Sequence, residues 1–174
     1  MNSKFILSEL ITNNILKEDQ NDFIRSHNLS MEYSHSGKAF NFFVQDIVND
    51  GRISEIEVKD FLFESLFYGY QRETYIYNIG SYCEKYVEVS NFFDIIRQKY
   101  SYVSDGMYNN IVNSVDDNEA LVAIKVAYSK DLKRISKVRF IFKKAVSVIR
   151  KGGLEKTLSY IPIEWELTRG IIIA

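Results

Sequence analysis

The sequence predicts a mainly α-helical protein, a single domain over residues 1–174 with six or seven bundled helices and a small C-terminal β-hairpin. Three observations predict it. Apolar residues recur at three- and four-residue spacing along most of the chain, Ser/Asp-x-x-Glu capping signatures stand at two expected helix starts, and 174 residues include one Pro and eight Gly. A chain of this length buries roughly 70% of its unfolded surface and needs neither disulfides nor a structural metal to do so. With 46% hydrophobic and 14% aromatic residues, disorder is excluded as well.

In chain order, Ser3 caps a helix over about 4–17 whose stripe is Phe5, Ile6, Leu7, Leu10, Ile11 and Ile15, and a short helix follows from Asp19 to His27. Residues 28–37 lack periodicity and read as a loop. Lys38 to Val48 is apolar at Phe40, Phe43, Val44 and Ile47, and Asn49-Asp50-Gly51 ends that helix. Ser54 and Glu57 then form a capping box that opens a helix over about 55–70, with Val58, Phe61 and Leu62 on its inner face.

Thr74 to Tyr102 reads as one long or two shorter aromatic-rich helices. Asp116 and Glu119 have capping spacing and open a helix carrying Leu121, Val122, Ile124 and Val126. A further helix, Lys130 to Lys151, carries the stripe Ile135, Val138, Phe142, Val146 and Ile149 and stops at Gly152-Gly153. Val138, Phe140 and Phe142 also alternate as a strand would, but length and the Gly pair favour a helix. Ile161, Ile163, Trp165 and Leu167 alternate with polar residues, and Thr168-Arg169-Gly170 turns the chain into Ile171 to Ile173, which makes the terminal hairpin.

The net charge of −1 conceals a partition. Residues 1–124 carry −9, residues 125–156 carry +9 and the last eighteen carry −1. On the expected helix 130–151, Lys130, Lys133, Lys137, Lys144 and Lys151 share a face with Phe140, which suits an acidic protein or nucleic-acid phosphates, or else the acidic remainder of the same chain. The aromatic middle, including Tyr75 and Tyr77, exceeds what one helical stripe can hide, so some of it is expected at an interface.

Asp46, Asp50, Gly51, Ser54 and Glu57 fall at positions one, five, six, nine and twelve of a calcium loop, and the segment 46–57 resembles an EF-hand. That resemblance implies calcium at Asp46, Asp50, Ser54 and Glu57, although Val48 stands where a third-position ligand belongs. The helix-Asp-Gly-helix turn also resembles those of TerB-like helical bacterial domains. No phosphate loop, nucleophile elbow or zinc spacing occurs, His27 and His35 have no ligand partner nearby, and lone Cys83 reads as a core residue.

These features point to a non-enzymatic protein-binding domain. Size, compactness and the lack of a catalytic cluster suit a bacterial immunity protein or a phage-encoded inhibitor, and no cofactor is expected beyond the calcium just named. Partner contacts fall to Lys133, Lys137, Phe140, Lys144, Lys151, Tyr75 and Tyr77. Alternatives are a nucleic-acid-binding module built on the basic helix 130–151 and a cation-binding domain built on the loop 46–57. Without an apolar stretch of spanning length or a secretory leader, a soluble cytoplasmic protein is expected, and the Ile-, Asn-, Lys- and Tyr-rich composition suggests an AT-rich bacterial or phage genome.

Overall fold

Val, Ile, Phe and Tyr crowd the C-terminal half, and a pleated sheet packs such side chains on both of its faces. The computed structural model describes residues 5–7, 12–29, 39–68, 75–80, 83, 86–103, 106–107, 119–130 and 134–174. Among these residues the helices are α1 Lys17–Ser26, α2 Phe40–Asn49, α3 Glu55–Tyr68 and α4 Val89–Lys99. The strands are β1 Ile76–Asn78, β2 Gly106–Met107, β3 Ala120–Tyr128, β4 Ile135–Arg150, β5 Gly153–Glu166 and β6 Ile171–Ile173. They form one antiparallel sheet in the order β1-β6-β5-β4-β3-β2.

The sheet separates two cores. One is built from Phe23, Phe43, Val44, Ile47, Val58, Leu62, Phe63 and Leu66 of α1 to α3 against Val122, Ala123, Ile141, Leu158 and Tyr160. Phe92 of α4, with Cys83 and Val103, packs on the other face against Leu121, Ile124, Ile135, Val138, Phe140 and Leu167. The mainly helical bundle expected from the sequence, with its all-α character, is therefore corrected to a mixed fold in which helices flank an antiparallel sheet.

The helix expected over 130–151 is corrected to β4 across 135–150, residues 131–133 lying outside the described residues. Two β-bulges explain the helical spacing. Leu121 pairs with Phe142 and Ala123 with Ile141, so Val122 is one residue too many in β3, and Leu121 and Ile124 both reach the α4 core. Ala127 pairs with Lys137 and Tyr128 with Ile135, so Ser136 is the extra residue in β4, and Ile135 and Val138 likewise share that core. Each bulge thus produces an i, i+3 apolar pair inside a strand. Burial on both faces then removes the alternation that would have revealed β4, since Phe140 enters one core and Ile141 the other.

The helix expected from Asp116 is β3 where it is described, Asp116 itself lying outside the described residues. Within 74–102, Ile76–Asn78 is a strand and α4 is the helix. Residues 5–7 are not helical either. Their backbone is held by α2, where Phe5 N–H donates to Asn49 Oδ1 at 3.0 Å and Leu7 N–H to Gln45 Oε1 at 3.0 Å. Of the loop read over 28–37, residues 30–37 lie outside the described residues.

Elsewhere the local signals and the structure coincide. Ser54 N–H donates to Glu57 Oε2 at 2.8 Å while Glu57 N–H donates to Ser54 Oγ at 3.2 Å, the reciprocal bonds of a capping box. Gly51, with φ of +70°, turns the chain between α2 and α3. Ile171 to Ile173 fold back on Glu164 to Glu166 as the last strand of the sheet.

Candidate interaction surface

Pairing register places Lys125, Arg139 and Glu164 side by side on β3, β4 and β5, with Lys137 and Glu166 in the next rung. Glu164 accepts from Lys137 at 2.9 Å and from Arg139 Nε at 2.9 Å, and Lys137 also lies 3.1 Å from Glu166. Lys125 reaches α3, at 2.9 Å from Glu64 and 3.1 Å from Asp60. Arg139 also stacks over Phe67 and Tyr68 of α3, each centroid 5.3 Å away.

These pairs shift the groups that form them. Burial opposes ionisation of Glu164, but hydrogen bonds from Lys137 and Arg139 outweigh it and hold the carboxyl below the usual range. Burial likewise disfavours the Lys125 cation, and its bonds to Glu64 and Asp60 overcome that and raise it. The hydrogen bond to Glu164 raises Lys137. Much of the basic segment's charge is therefore matched within the sheet and by α3.

Further along, β4 and β5 leave the sheet. Pairing with β3 ends at Lys143 and pairing with β6 begins at Glu164, whereas β4 and β5 pair with each other out to Arg150 and Gly153. Among the described residues, 144–150 and 153–159 form a two-stranded arm about 23 Å long at ~3.3 Å per residue, whose base stays on the first core through Ala145 and Leu158 while 149–156 are exposed. Gly153, with φ of +127°, closes its two-residue turn with Lys151 and Gly152 between the strands.

The arm carries Lys144, Arg150, Lys151 and Lys156 against one acid, Glu155, which lies 3.4 Å from Arg150. Its tip is apolar. Ile149 and Leu154 face each other across the strands and are 88% and 72% exposed. Both are more open than any other large apolar residue among those described, Ile56 coming next at 71%.

The residues singled out from the sequence are dispersed by the strand geometry. Lys144 and Lys151 are exposed on the arm, but Lys137 is ion-paired in the sheet and Phe140 is 2% exposed, in contact with Phe92 and Trp165. Phe140 as a partner contact is corrected to a core residue. Lys133 lies outside the described residues. Tyr75 and Tyr77 are exposed at the sheet's outer edge, where Tyr77 pairs with Ile172 and so aligns with Trp165 of β5. Leu154 stands eleven residues along β5 from Trp165, about 36 Å at ~3.3 Å per residue, so one small contact cannot include both.

At the α2–α3 turn, Glu57 Oε2 is taken up by Ser54, whose bonds hold the carboxyl below its ordinary range, and Glu57 Oε1 faces His27 Nε2 at 3.9 Å. The bidentate ligand an EF-hand requires is thus engaged as a helix cap. Among the described residues no group of three or more His, Cys, Asp or Glu is placed to hold a metal ion. Beside this turn Phe5, Val48, Ile53, Ser54 and Glu55 line an open groove of about 620 Å³. Also among the described residues, no helix is long and apolar enough to cross a membrane.

Ile149 belonged to the expected core stripe and Leu154 carried no signal in a helical reading. A Gly pair closing two runs of β-branched residues would have marked both as hairpin positions. Comparison with protein-family models, with curated proteins and with solved structures gives no match to this chain.

Proposed function

We propose that the protein is a protein-binding module whose contact element is the β4–β5 arm, and that it takes an apolar, acid-bordered surface on its partner. The observation that carries this reading is the exposed Ile149–Leu154 pair at the end of a basic arm. Burying exposed aliphatic side chains against a partner removes apolar surface from water at about 25 cal/mol per Å², and surrounding charges set orientation and encounter rate. A projecting arm can enter a cleft that a flat face cannot, the geometry an inhibitor or immunity protein brings to an enzyme.

A protein is favoured over nucleic acid because the rest of the chain repels phosphate. Residues 1–124 carry −9. The test compares the wild-type chain with Arg150→Glu/Lys151→Glu and with Ile149→Ser/Leu154→Ser in affinity capture from the source cells. A protein retained by the wild type and lost from both variants supports the reading. Retention by both variants overturns it, as does binding of a DNA or RNA duplex whose affinity falls steeply with salt and is lost with Arg150 and Lys151.

A further inference from the structure

Asn41, Gln45 and Asn49 recur at every fourth residue of α2 and so stand in one row along the helix, about 6 Å apart at ~1.5 Å per residue. An extended chain presents every second residue at nearly the same interval, about 6.6 Å. Residues 5–7 use that match. Asn49 holds both backbone groups of Phe5, accepting its N–H at 3.0 Å and donating Nδ2 to its carbonyl at 3.2 Å. One turn away, Gln45 accepts Leu7 N–H at 3.0 Å. Phe5 and Leu7 belong to the core under α1 to α3 while Ile6 between them is 52% exposed, the alternation of a strand. The third amide of the row is not engaged. Asn41 is 3% exposed, and its Oδ1 has no hydrogen-bond partner among the described residues, which is costly for a buried acceptor.

We propose that this amide row is a binding site for an extended segment of another protein, closed in this structure by the chain's own residues 5–7. The site stands apart from the β4–β5 arm and does not depend on it. What the row already holds defines its ligand. That ligand is an apolar strand of at least five residues whose first, third and fifth side chains face the core. The backbone N–H groups of the same three residues donate to Asn49, Gln45 and Asn41. Side-chain amides bind backbone groups whatever the sequence, so a foreign strand satisfies them as residues 5–7 do. Residues 5–7 belong to no helix or strand, so releasing them breaks no sheet ladder. The same three residues of a second copy would leave Asn41 Oδ1 as it stands, which favours a different chain. Tethered in cis, residues 5–7 compete at an effective concentration of the order of mM, which weakens a ligand of about 10–100 μM affinity by roughly 10–100-fold.

The test titrates the full chain with two fluorescein-labelled peptides, read by anisotropy. One is Ser-Lys-Phe-Ile-Leu, the sequence of residues 3–7, and the other is the same peptide lengthened by Thr-Val-Thr. The chain carries Phe5→Asp/Leu7→Asp to keep its own segment out of the core, and far-UV circular dichroism checks folding. Leu7→Ala alone replaces the pair if that variant unfolds. The longer peptide should bind this variant at about 10–100 μM and the wild type at least about tenfold more weakly. Adding Gln45→Ala/Asn49→Ala should weaken both peptides at least about tenfold. Adding Asn41→Ala should erase the longer peptide's advantage and leave the shorter one unchanged. No binding of either peptide to the folded variant at about 1 mM overturns the inference, and so does binding indifferent to the amide substitutions. A wild-type dimer in sedimentation equilibrium that Phe5→Asp/Leu7→Asp abolishes overturns it as well, since the occupant is then a second copy.

Discussion

Glu164→Gln removes the charge that Lys137 and Arg139 share while keeping the side chain's shape. The Glu164 side chain is 12% exposed, and its partners are 32% and 28% exposed, so the cluster sits between two regimes. Breaking a fully buried ion pair costs about 3–5 kcal/mol and an exposed one about 0–1. Gln keeps one acceptor oxygen for one of the two cations, which places the expected loss near 2 kcal/mol. The internal comparison is Glu155→Gln on the arm. Glu155 and Arg150 are 55% and 66% exposed, so its loss should stay within about 0.5 kcal/mol. In a chain of this size the first variant should melt about 4–8 °C below wild type and the second within about 2 °C. Thermal melts backed by urea titration read both. Equal losses at the two sites would refute the claim that the sheet cluster, and not the arm, absorbs the basic charge.

The same carboxyl sets an acid limit. Its folded pKa is lowered, so the stability it confers is complete above its unfolded value of about 4.3 and is lost as pH falls through the folded value. Urea midpoints below pH 4 should therefore fall more steeply for wild type than for Glu164→Gln, and parallel curves would contradict this. Gly170→Ala should cost about 2 kcal/mol or more by urea titration, because Gly170 has φ of +63° and a Cβ there would lie 2.9 Å from Gly80 O. Gly51→Ala, with φ of +70° but nothing within 4 Å, should cost about 1 kcal/mol, and a larger loss than at Gly170 would contradict the packing described. Ser54→Ala should cost about 1 kcal/mol through loss of the cap, and a neutral result would deny the capping box its role.

Signals confined to a few residues were legible. The Ser54–Glu57 box, the Gly51 turn and the Thr168-Arg169-Gly170 reversal are local, and the bonds that satisfy them lie within a few residues of the signal. The sheet was not legible because its evidence is non-local. Bulges at Val122 and Ser136 can be seen only from register, and they turned strand positions into helical spacing. Charge behaved likewise. The partition between a −9 body and a +9 segment is written in the sequence, but which cations are matched depends on Glu164 and Glu166 lying opposite Lys137 and Arg139 on a neighbouring strand. Once those pairs are set aside, Lys144 and Lys151 of the basic candidates remain exposed together on the arm. The tip residues escaped notice because a helical register turned Ile149 inward, whereas the hairpin projects it beyond both cores.

Photo-cross-linking asks whether the arm's tip is where this protein meets another chain. A photoreactive residue replaces Ile149 in one chain and Ile76 in another, two apolar positions 88% and 68% exposed at distant parts of the sheet. Position 149 should give a discrete covalent adduct with another protein that disappears when Arg150 and Lys151 are reversed to Glu. An adduct that survives that reversal, or equal adducts from positions 149 and 76, would contradict it.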